Sequence, residues 1–206
     1  MAIRQLAYGN APNLIGKYLH MGEQTSYDCL NNFCKCVFTY VAVYLRQPNA
    51  QDVQRLISKH QELHGFLGML GSLVYIHWAW KTCPTIWQIH YTRGDKSYPS
   101  IKLEDVASFE LWIWHDFFGP MRSNNGVDVL SISDLFDDLK QDRAPPCIFT
   151  VYGCNFNKGY YLGDGLHPDW AIIVKSFKFE TRPKSLRIKK CQRSARKDIE
   201  RAFGVL

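Results

Sequence analysis

The chain has 206 residues, of which 46% are hydrophobic and 14% aromatic, enough apolar mass for one sizeable core and too much for a disordered chain. Twenty-five Lys and Arg against nineteen Asp and Glu leave a formal charge of +6 and a sequence pI near 8.9, a modest excess that favours a polyanionic partner without specifying one. The 7 cysteines form no C-x-x-C pair and follow no apolar leader, so the composition predicts free thiols in a reducing compartment and no structural zinc.

Residues 1 to about 60 read as helices. Leu6, Leu14, Ile15, Tyr18 and Leu19 give the first stretch an apolar face. Thr25-Ser26-Tyr27-Asp28 resembles a capping start for a second helix, which continues through Cys29, Leu30, Phe33, Val37 and Phe38 to about Tyr44. A Gln47-Pro48-Asn49 break precedes a third helix carrying Val53, Leu56 and Ile57. Helix, turn at Gly22 and helix fit a helix-turn-helix or an ordinary helical subdomain, and the second helix offers only Lys35 as a cation. From Leu63 to Trp80 no residue carries a formal charge, yet His64, Ser72, His77 and the glycines at 65, 68 and 71 suit a loop entering a buried strand and not a membrane span.

Strand grammar follows, with Leu70–Trp78, Ser100–Ala107 and Leu111–Phe118 as three strands and Tyr91–Pro99 as a polar loop. Ser123-Asn124-Asn125-Gly126 reads as a turn. Val129–Leu139 reads as one amphipathic helix, with Leu130, Leu135, Phe136 and Leu139 inward and Asp134, Asp137 and Asp138 on a solvated face. Cys147–Val151 and Tyr160–Asp164 are short strands, and Trp170–Val174 is a further strand or short helix. The predicted class is α/β, a mixed sheet with flanking helices behind an all-helical region. The expected division is 1–62 helical and 63–206 α/β.

Two acids stand out. Asp164 lies between two glycines at a strand end, and Glu200 lies on a later helix with apolar spacing at Ala195, Ile199, Ala202 and Phe203. One carboxylate at a strand end and one on a helix can share a hard divalent cation such as Mg²⁺. The bland readings are a turn aspartate and a surface glutamate paired with Arg196 or Lys197. The densest cationic run, Lys184, Arg187, Lys189, Lys190, Arg193, Arg196, Lys197 and Arg201, reads as a solubilising face, a nuclear import signal or a phosphate-binding stripe.

The segments GCNFNKGYYLGDG, KSLRIKKCQRSARKDIERAFGVL and LAYGNAPNLIGKYLHMGEQTSYDCLNNFCK resemble plant transposases of the PIF/Harbinger group over nearly the whole chain. The resemblance implies an RNase H-like domain in which an Asp, Asp, Glu triad holds two metal ions, most naturally Mg²⁺, to cut and join DNA. Asp164 would be its second acid and Glu200 its third. The first is expected in a run like GSLDCxHW, where this chain has Gly71-Ser72-Leu73-Val74-Tyr75-Ile76-His77-Trp78. Valine offers a metal no oxygen, so the resemblance implies little or no nuclease activity, unless Asp116, Asp105, Glu104 or Asp95 substitutes. The family pattern also favours Asp where Gly126 stands, and relatives are expected to continue past ERAFGVL. Implied with it are DNA and a separate DNA-binding protein as partners, no membrane, and a nuclear or cytoplasmic location. The alternatives are a domesticated DNA- or protein-binding module and a decayed remnant.

Overall fold

The computed structural model describes all residues except 10, 11, 93, 95, 121–125, 166, 177–181 and 206. In chain order its helices are α1 (Ala2–Tyr8), α2 (Pro12–Leu19), α3 (Glu23–Tyr44), α4 (Ala50–His64), α5 (Thr85–Tyr91), α6 (Gly126–Ile132), α7 (Asp137–Lys140) and α8 (Pro183–Val205). The strands are β1 (Met69–Ala79), β2 (Ser100–Ala107), β3 (Ile113–Phe118), β4 (Phe149–Val151), β5 (Cys154–Phe156), β6 (Tyr160–Gly163) and β7 (Ile173–Lys175). They form two units, Met1–Tyr44 with Trp78–Ile101, and Leu45–His77 with Lys102–Leu206.

In the first unit α1 and α2 both pack on α3. Helix α1 stops at Gly9, whose φ of 58° is left-handed and whose N–H returns to the Gln5 carbonyl. Helix α3 begins at Glu23, earlier than the capping-type residues suggest. Ser26 is no cap: its hydroxyl bonds back to the Gly22 carbonyl at 3.1 Å, inside the first turn. Further along, the Trp80 N–H donates to the Pro99 carbonyl and Thr92 bridges Pro99. Helix α5, which the sequence reading does not anticipate, spans Thr-Ile-Trp-Gln-Ile-His-Tyr, and its β-branched and aromatic residues carry little helical signal.

The second unit begins with α4, fastened by a capping box. The Asn49 side chain accepts from the N–H groups of Gln51 and Asp52, while Asp52 accepts from the Asn49 N–H. A hydrogen bond from Arg46 holds the Asp52 carboxyl below its ordinary range. Val53, Leu56, Ile57 and His60 form the buried stripe of this helix. The sheet runs β3-β2-β1-β6-β7, with β1 parallel to β6, β6 parallel to β7 and β2 antiparallel to β3. This is the mixed α/β sheet expected: three consecutive strands side by side, then two that follow the intervening helices.

Strand alternation divides the core between two faces. Leu73, Val106, Tyr161 and Ile173 pack with Trp114 and with Leu130, Leu135 and Phe136 around α6 and α7. Their neighbours turn the other way: Met69 and Leu162 meet Ala195 of α8, and Val74 and Ala107 meet its Ile199 and Ala202.

Several boundaries move. The single helix read over Val129–Leu139 is two, because Ser133 leaves the helical pattern. Its buried hydroxyl accepts from the Leu135 N–H at 3.3 Å and lies 3.1 Å from His115 Nε2, competing with the backbone ladder. The third strand begins at Ile113 and not Leu111, whose φ of 61° closes a turn onto Ser108. Cys147–Val151 shortens to β4, which pairs with β5 in a separate two-stranded ribbon across Tyr152-Gly153. The turn read at Ser123–Gly126 lies outside the described residues for 123–125, and Gly126 opens α6.

Asp105 of β2 is 1% exposed, sits directly across from Asp116 of β3, and has an oxygen without a hydrogen-bond partner. Burial first, then the charges of Asp116 and Glu104, push its carboxyl up to about 7. Between pH 4 and 7 the folded chain therefore holds a proton that the unfolded chain has released, and this residue subtracts stability as pH rises through that window. Urea unfolding at pH 5 and pH 8 is expected to show Asp105→Asn flattening this dependence and gaining on the order of 1 to 4 kcal/mol at pH 8.

Candidate functional site

Strand β6 delivers Asp164. Tyr161 and Leu162 are buried on opposite faces, and Gly163 ends the strand where a Cβ would stand 2.8 Å from Ile173 and 3.0 Å from the His167 ring. Only glycine fits that approach. Strands β1 and β6 pair in parallel as far as Ser72 and Leu162, and Tyr75, further along β1, feels the charge of Asp164.

The Asp164 carboxylate is held from two sides. Its Oδ1 lies 2.8 Å from Nδ1 of His167, whose side chain is 0% exposed. The same nitrogen is 3.0 Å from the Asp164 N–H, but one tautomer cannot accept there and donate to the carboxylate, and the charged oxygen is the stronger partner. With the proton on Nδ1, the buried Nε2 has no hydrogen-bond partner. The imidazole stacks on Tyr75 at 4.5 Å between centroids. Burial, then the charge of and a hydrogen bond to Glu104, and then the charge of Asp164, push the Tyr75 phenol far up. On the other side, the Arg196 guanidinium of α8 stands 3.9 Å from Asp164 Oδ2.

Helix α8 is anchored by its inner face. Asp198 lies 2.9 Å from His64 of α4 and accepts from Arg201 at 3.4 Å. Gln192 donates to the Lys175 carbonyl at 3.4 Å. Beside this anchor, burial first and then the neighbouring His64 push the His60 imidazole down to about 4, so it stays neutral. With Gln192, Ala195, Asp198, Ile199 and Ala202 inward, Lys184, Arg187, Lys190, Arg193, Lys197 and Arg201 are exposed, and Lys189 and Arg196 are half-buried.

Glu200 follows Arg196 by four residues, one helical turn along the same stripe, and is exposed. The structure brings Arg196 up to Asp164. Val74 is half-buried against Ala107, Ile199 and Ala202. Of the acids that might replace it, Glu104 is fully buried beside His115, Asp105 and Asp116 face one another, and Asp95 lies outside the described residues. Among the described residues no group of three or more His, Cys, Asp or Glu could hold a metal. Sequence reasoning missed His167, Tyr75 and the Arg196 contact; the Asp-x-x-His spacing at a strand-end turn was the one available signal.

A family model described as plant transposon protein matches residues 42–206. No curated protein and no solved structure matches the chain. Among the described residues no helix is long and apolar enough to cross a membrane.

Gly163→Ala is expected to cost about 1–3 kcal/mol in urea unfolding, because the new methyl must displace Ile173 or His167. An unchanged midpoint would mean that the strand end is slack. Val74→Asp places a carboxylate under Ile199 and Ala202 and is expected to lower stability by about 1–3 kcal/mol, read by the same measurement.

Proposed function

Because the chain belongs to the plant transposon protein family, we propose that it is a transposase-derived protein of the PIF/Harbinger type that grips DNA phosphates along α8 and has little or no strand-cleaving activity. In this reading Asp164 and Glu200 occupy the positions of the second and third catalytic acids. The observation that carries it is the way the chain satisfies Asp164 from within, by His167 at 2.8 Å and Arg196 at 3.9 Å, while position 74 is apolar and packs under α8.

A two-metal centre places a carboxylate between the ions, because two dications about 3.5 to 4 Å apart repel strongly without one. Valine supplies no such oxygen, and the neighbouring guanidinium already brings positive charge to Asp164. The residues present do not fit the pair of Mg²⁺ ions that the resemblance implies, so we derive no cleavage step through them. The outward cations of α8 need no metal. Each phosphate they neutralise releases condensed counterions, which favours salt-sensitive, sequence-indifferent binding. A separate DNA-binding protein and a nuclear location complete the proposal on family grounds alone.

Retention of a short duplex measured against salt concentration tests the reading. Affinity is expected to fall steeply with salt, and Lys190→Gln, Arg193→Gln and Lys197→Gln each to reduce the log–log slope by about 0.9 per lost phosphate contact. Supercoiled plasmid with Mg²⁺ is expected to remain intact. Metal-dependent nicking that disappears in Asp164→Ala would restore the nuclease, and salt-independent or absent retention would remove the role of α8.

A further inference from the structure

Helices α1 and α2 pack on α3 in the first unit, yet that unit buries little apolar mass. Among its described residues the hydrophobic side chains that are buried are Ala2 and Cys83, while Phe38, Tyr40, Val43 and Tyr44 of α3 all stand more than half exposed. Helices are held in water mainly by the apolar face that packing covers, so a long apolar face left open marks a place of contact. This one has a regular period. Leu30, Phe33, Val37, Tyr40 and Tyr44 follow one another at steps of three, four, three and four residues, the heptad spacing of a seam that meets another helix. Ser26, one step further back, is buried, and Leu30 and Phe33 are half-buried. Beyond them the seam emerges: Val37 is 49%, Tyr40 58% and Tyr44 69% exposed. From Cys36 to Tyr44 the helix carries no charge.

We infer that this end of α3 pairs with the same segment of a second copy of the chain, in a two-fold dimer whose axis passes close to Tyr40. A heptad seam fits a helix with the same repeat, and α3 is itself such a helix. Two copies that meet over an uncharged stretch bring no like charges together, which matters in a chain of net charge +6. A partner recognised by charge would find nothing to read here. Because Ser26, Leu30 and Phe33 are already packed within the unit, the copies overlap only from Val37 onward, so the helices cross near Tyr40 and do not run together along their whole length. Val37, Tyr40, Val43 and Tyr44 would remove on the order of 400 Å² per copy from water, about half of the roughly 800 Å² per partner of a standard stable interface. The dimer is therefore reversible and depends on concentration. It does not depend on the role proposed for α8.

Sedimentation velocity of the full chain from about 1 to 100 µM tests the pairing, since an interface of this size belongs to the transient class. The wild type is expected to pass from monomer to dimer across that range. Tyr40→Glu is expected to weaken the dimer about tenfold or more. Phe38→Glu, about 200° around the helix from Tyr40 and 76% exposed, is expected to leave it unchanged. Both positions are exposed in the single chain, so neither variant is expected to alter the far-UV circular dichroism. In a chain with the five cysteines that are not buried replaced by Ser, Tyr40→Cys is expected to be joined into a covalent dimer by a short bismaleimide and Phe38→Cys to stay single. A monomer throughout the range would leave the seam to a different protein and overturn the inference. Growth beyond the dimer, or a dimer equally sensitive at Tyr40 and Phe38, would overturn it as well.

Discussion

The parallel register between β1 and β6 is the constraint on which the second unit depends. Pairing Ser72 with Leu162 sends Leu73 and Tyr161 to one face of the sheet and Leu162 to the other, where a register shift between Met69 and Gly71 lets Met69 join it. A slip by one residue would exchange those faces and bury the wrong set. Val74 and Asp164 each follow that pair by two residues along the chain. The valine there continues the apolar surface on which α8 lies, and α8 in turn brings Arg196 to the aspartate.

From that point a line of polar groups runs into the sheet. Asp164 meets His167, His167 stacks on Tyr75, and Lys102 Nζ lies 4.9 Å from the centroid of the same ring. Glu104 approaches His115 at 3.3 Å, and His115 approaches Ser133 at 3.1 Å. Polar groups this deep survive by satisfying one another, and each that lost its neighbour would carry the full cost of desolvation. The chain therefore keeps the acidic position as part of its scaffold, whatever chemistry takes place there.

Much of this was legible in the residues. Strands β1, β2 and β6 announce themselves as short runs rich in aliphatic and aromatic residues, and α8 because Ala195, Ile199 and Ala202 recur at helical spacing among cations. The family motifs were readable for the same reason, since they coincide with these patterned elements. Where local preference competes with tertiary contact, the reading was less faithful. Leu130, Leu135 and Phe136 are inward as their spacing implied, yet Ser133 bonds to His115 from another strand and divides the helix. The surroundings of Asp164 come from β1, the loop after β6 and α8, and no window along the chain contains all three.

Helix α8 has two faces with different duties. Inward, Ala195, Ile199 and Ala202 complete the core of the sheet, and outward the lysines and arginines stand in water. On the proposal that a polyanion fills the outer face, its occupancy and the integrity of the inner one are a single coupled equilibrium. A polyanion that requires the helix intact draws the population toward the folded state in proportion to its saturation, and a frayed helix forfeits affinity by the same factor. On that proposal, holding a ligand and staying folded are reciprocal properties.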